Sequence, residues 1–166
     1  MTPDQRRIHE GTLRTPRGQW FRGPYDALLQ QLRIAAPAQE LGGLLRFHTD
    51  LNRRLSELAI LIVARLWDCE FEWQQHAPLA KSAGLSAETI GAIRAGSLPA
   101  GLPADEDTVL HVARSLLQDH CVTDEGYERV CQRFGTVGVV ELTALIGYCS
   151  FLATTALAHE IPLLHQ

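Results

Sequence analysis

Residues 57–76, ELAILIVARLWDCEFEWQQH, constrain the fold more than any other stretch of the chain. An apolar run, ELAILIVARLW, is followed by a segment that sets Cys69, Glu72 and His76 at i, i+3 and i+7. On a helix those three side chains leave one face. A helix with no task beyond packing would fill that stripe with Leu and Ala. An unbroken helix would hold Glu57 and Cys69 about 18 Å apart at ~1.5 Å per residue. A break near Trp67–Asp68 with an antiparallel return changes this, giving legs of about 15 Å and 12 Å. Glu57 then faces the turn that begins at His76, across a pocket lined by Leu, Ile, Phe71 and Trp73.

The rest of the chain repeats the helical signal. Every long segment has a period near 3.6 and none alternates with period two. Helices are expected near 24–33, 37–47, 52–67, 69–83, 86–95, 105–118, 123–134 and 137–158. Ser86, Asp105 and Thr123 mark starts, and Gly84, Gly96 and Gly135 mark stops. Residues 1–22, rich in Arg, Pro and Gly, read as an irregular N-terminal arm. Residues 23–166 read as one all-α domain, a compact bundle of about seven or eight helices, since 166 residues at 46% hydrophobic suffice for one core. The proline-punctuated loop 97–107 is too short to separate two domains.

Bulk properties exclude some classes. A net charge of −4, with no basic cluster beyond a pair, argues against a nucleic-acid partner. The first twenty residues lack the apolar run of a secretion signal, so a cytoplasmic location is expected. Cys69, Cys121, Cys131 and Cys149 form no CxxC pair and no metal-ligand spacing, so free thiols are expected and no metal. Residues 142–158 form an uncharged run at the lower limit of a membrane span. Its small residues and its Ser and Thr suit a buried or interface helix, and no membrane partner is expected. That apolar helix predicts self-association, with Leu142, Leu145, Ile146, Phe151, Leu152 and Leu157 buried between protomers.

The stretch 57–76 resembles the signature helix pair of the carboxymuconolactone decarboxylase family, within the alkyl hydroperoxidase D-like superfamily. GLSAETIGAIRAG and GVVELTALIGYCSFLATTALAHEIPL resemble later parts of the same pattern, so the likeness spans roughly residues 20–163. The peroxidase branch of that superfamily carries Glu, then Cys-x-x-Cys, then His four residues on. Here Glu57, Cys69 and His76 match, and Glu72 stands where the second cysteine would be, which makes this a single-cysteine variant. The resemblance implies an alkyl hydroperoxidase D-like bundle that assembles as trimers or hexamers and needs no cofactor. It also implies catalytic roles for Glu57, Cys69, Glu72 and His76, with Glu57 a buried carboxylate of raised pKa.

The residues themselves leave several readings open. Cys69 near a helix N-terminus gains at most about 2 kcal/mol toward its thiolate. Asp68, Glu70 and Glu72 oppose that gain. Without the resemblance it reads as a buried small apolar residue. Glu57 reads either as a proton relay or as a first-turn acid paired with Arg53, Arg54 or Arg65. His76 reads as a proton shuttle with Glu72 or as a bonded core histidine. Arg65, Phe71 and Trp73 are the candidate pocket residues, with Arg65 the basic group for a substrate carboxylate. Cys121, Cys131 and Cys149 read as packing residues. Three functions follow: a cofactor-free decarboxylase of a small carboxylated lactone, a thiol peroxidase using Cys69 with an external thiol, and a helical oligomer that binds a metabolite without turning it over.

Overall fold

Asn52 accepts a hydrogen bond from the Arg54 backbone N–H through its side chain, and this cap opens the central helix of the molecule. The computed structural model describes residues 1–13 and 23–163. They form α1 (Pro3–Leu13), α2 (Pro24–Leu28), α3 (Leu32–Phe47), α4 (Arg53–Leu66), α5 (Glu70–Ser82), α6 (Ala87–Arg94), α7 (Ala104–Arg114) and α8 (Asp124–Ala158). No strand occurs among the described residues. The architecture is an all-α bundle.

Residues 55–64 of α4 are all buried, as expected of a helix that is apolar on every side. The helix packs against α5, α6, α7 and α8. It ends where expected: Trp67 caps it, Asp68 turns the chain with φ 49°, and α5 returns along it. Asp tolerates this left-handed conformation better than most residues. Cys69 itself is the N-cap of α5.

Two boundaries differ from expectation. Residues 3–13 are helical rather than irregular. Thr2 and Gln5 bond reciprocally, the Gln5 side chain accepting from the Thr2 N–H and the Thr2 hydroxyl from the Gln5 N–H. Such a box nucleates a helix start. Residues 14–22 of the expected arm lie outside the described residues. The chain also breaks after Leu28 rather than before Pro37, because the Gln31 side chain caps a new helix that carries Pro37 within it.

Ser115–Asp119 continues α7 as one turn of π-helix, closed by His120 at φ 58°. In α8, Gly135 (φ 69°, ψ 178°) interrupts the helix where a stop was expected. By length and composition α8 could cross a membrane. Its second half instead runs through the bundle, burying Leu142, Leu145, Ile146 and Leu152 inside the protomer. This corrects the expectation that these four residues wait for a second copy, whereas Phe151 is half-buried and Leu157 is exposed. None of the four cysteines is in a disulfide. Cys121 is exposed and Cys131 half-buried, so neither is the buried packing residue expected.

Candidate active site

The antiparallel return of α5 along α4 brings Glu57 and His76 into direct contact. His76 Nδ1 lies 2.7 Å from Glu57 Oε2, and His76 Nε2 lies 3.5 Å from Glu72 Oε2. Glu72 and His76 share the inner face of α5 by their i, i+4 spacing. All three residues are buried, Glu57 to 2% exposure. Isolated acids at this depth would be neutral, since burial disfavours charge. Glu57 is not isolated. Arg46 approaches its Oε1 at 3.7 Å from α3, and Arg53 at 3.9 Å from the preceding turn of α4.

Burial and the neighbouring charges act on Glu57 in opposite directions. Burial pushes its carboxyl up, but the His76 hydrogen bond and the charges of His76, Arg46 and Arg53 outweigh that and hold it below 4.5. The raised pKa expected above is therefore corrected. The partners, in particular Arg46 arriving from a helix remote in sequence, reverse the effect of burial. An ionised Glu57 accepts the Nδ1–H of His76 and leaves Nε2 as the ring's exchangeable position, facing Glu72.

Cys69 has a different environment. It is 1% exposed and packs with Phe71, Ala153, Ala156 and Ile161 in a small apolar cluster beside the end of α8. Burial pushes its thiol above 9.0, and the negative charges of Glu72 and Glu70 add to this. Backbone N–H groups of Glu72 and Phe71 offset only part of the rise. The group is a neutral thiol at physiological pH.

The three expected pocket residues lie away from the carboxylates. Arg65 donates to the Arg94 carbonyl at 3.0 Å and pairs with Asp68, near the opposite end of α4 from Glu57. A separation of eight residues at ~1.5 Å each places Arg65 about 12 Å along the helix from Glu57. Phe71 lies in the Cys69 cluster, where its ring fills the space a side chain at Gly23 would need. Trp73 belongs to the main core, its ring covered by Arg94 at 5.0 Å.

Arg46 is the residue that sequence reasoning missed. It lies eleven positions before Glu57 on another helix, and no periodicity links the two. Arg53 was legible, since it precedes Glu57 by one turn.

No curated protein matches the chain. The carboxymuconolactone decarboxylase family matches residues 34–115. This is narrower than the span over which the resemblance was read, and α8 lies outside it. Arg46, Arg53, Glu57, Cys69, Glu72 and His76 all fall inside the matched segment, and by it the chain belongs to the carboxymuconolactone decarboxylase family.

Proposed function

We propose that this protein is a cofactor-free decarboxylase, or a related lyase, acting on a small carboxylated lactone. The observation that carries the reading is the buried Glu57–His76 pair, held at 2.7 Å with two arginines beside it. Decarboxylation breaks the ring-carbon to carboxylate bond, and its electron pair passes into the lactone carbonyl as carbon dioxide leaves. The resulting anion needs cationic stabilisation and then a proton at carbon. His76 donates the proton from Nε2, and the new C–H bond takes up the electron pair. Glu72, beside that nitrogen, returns a proton to the ring. Glu57 is a positioning residue: it fixes the imidazole through Nδ1 and stabilises its protonated form. Arg53, with its side chain 59% exposed, stands at the outer edge of the group and suits the substrate carboxylate.

The thiol peroxidase reading has less support. A peroxidatic cysteine must be a thiolate and reachable by solvent. Cys69 is buried and held neutral.

The same reading includes self-association, through a different surface from the one first expected. Ile34, Leu41 and Leu44 on α3 and Val137 and Val140 on α8 are exposed apolar side chains on two helices in contact. Light scattering at micromolar concentration tests this, and a monomeric mass refutes it.

The experiment for the reaction offers purified protein a panel of carboxylated lactones and, in parallel, organic hydroperoxides with dithiothreitol. Carbon dioxide release with a lactone, lost in His76→Asn, is the expected result. Hydroperoxide consumption abolished by Cys69→Ser would replace the lyase with the peroxidase. Saturable lactone binding without product would leave only a binding protein.

A further inference from the structure

Toward the end of α4 remote from Glu57 the bundle has a hollow of about 240 Å³, lined by Ile62, Leu66, Ile93 and Leu110 within and by polar groups at its rim. Three unusual backbone features meet at that rim. Asp68 is left-handed at φ 49°, Gly96 at φ 73°, and the π-turn Ser115–Asp119 carries Gln118 to the edge. Turns of π-helix and strained non-glycine residues concentrate at functional sites.

The charges at the rim do not balance. Arg65 is held in place by the Arg94 carbonyl and by Asp68, so that pair is neutral. Arg114, the last residue of α7, is half-buried and makes no hydrogen bond or ion pair among the described residues. A partly buried guanidinium facing an apolar hollow has given up hydration without a protein acceptor in return. An acceptor supplied by a ligand would complete it, and a carboxylate matches the planar fork of arginine.

We propose that this hollow is a binding site for a small monocarboxylate with an apolar tail. The carboxylate sits on Arg114, with Gln118 at the rim to donate a further hydrogen bond. The tail packs against Ile62, Leu66, Ile93 and Leu110. The volume is below the range of about 300–1,000 Å³ usual for drug-sized ligands, which limits the tail to a few carbons. The site is separate from the Glu57–His76 group and does not depend on the proposed lyase activity.

Calorimetric titration of the full chain with hexanoate, hexylammonium and hexanol tests the proposal. Saturable binding of hexanoate is expected at millimolar concentration, at least tenfold tighter than hexylammonium or hexanol. Arg114→Gln should weaken it tenfold or more with the melting temperature of the unliganded protein unchanged, and Arg114→Lys should restore part of it. Arg46→Gln should leave it as it was, which separates this hollow from the arginines beside Glu57. No saturable hexanoate binding, equal binding by Arg114→Gln, or loss in Arg46→Gln instead, would each overturn the assignment.

Discussion

Glu57 and Cys69 are both almost wholly buried, one near the start of α4 and the other at the start of α5, yet their surroundings act on them in opposite ways. Burial raises the pKa of each. Around Glu57 an imidazole and two guanidiniums reverse the effect and leave a carboxylate. Around Cys69 the nearest charges are acidic, so they add to it and leave a thiol. Depth alone therefore does not decide which buried group is ready for proton chemistry; the sign of the neighbouring charge does. The comparison separates the two enzymatic readings, since the lyase needs the first environment and the peroxidase would need the reverse of the second.

The sharpest way to break the comparison is to remove the relay. His76→Asn should lower turnover by about 10²–10⁴-fold, the usual scale of general acid–base catalysis, measured with whichever lactone is accepted. Glu57→Gln keeps shape but loses the charge that fixes the ring, so it should lower turnover and move the acid limb of the pH–rate profile. The double variant should be scarcely slower than His76→Asn, because residues that act as one unit are strongly non-additive. Additive losses would show that Glu57 and His76 work separately.

A second variant probes the charge balance itself. Arg46→Met removes the remote cation from a buried carboxylate, and breaking such a pair costs about 3–5 kcal/mol when both groups are buried. Arg46 retains some exposure, so a loss toward the lower end of that range is expected in urea denaturation. An unchanged midpoint would mean that Arg46 does not stabilise Glu57.

The third test is pH. The folded-state pKa of Glu57 lies below its unfolded value of 4.5. The unfolded chain therefore takes up the proton first as pH falls, and the stability due to the charge is present above 4.5 and lost below it. Wild type should lose stability below pH 4.5 more steeply than Glu57→Gln. Equal acid slopes would remove the depressed pKa. For Cys69 the sign is opposite: its raised pKa means that stability falls as pH rises above 9.0.

The smallest expected effect belongs to the thiol. Cys69→Ala should retain lyase activity and cost on the order of 1 kcal/mol of stability for the lost sulfur contacts. Iodoacetamide should label the exposed Cys121 well before Cys69 in the native protein, read by mass spectrometry of the digest. Faster labelling of Cys69 would reinstate it as a reactive group.

Much of this was legible in the residues. The apolar run before Trp67 required a buried helix, and the spacing of Glu72 and His76 put both on the face of α5 that turns inward. The break at Trp67–Asp68 then implied that Glu57 and His76 would meet. Those inferences rest on local rules, helix period and chain reversal, which operate over a few residues and can be read from the string.

What only the tertiary structure decided is the electrostatic character of the group. The cation beside Glu57 comes from α3, and the acids beside Cys69 lie on the same turn of α5 while its apolar walls come from the far end of α8. Arg65, the basic residue nearest in sequence to the expected pocket, is held at the far end of α4 by Asp68 and the Arg94 carbonyl. A pKa depends on every charge within a few ångströms, whichever helix carries it, and helix packing, not sequence spacing, chooses those neighbours.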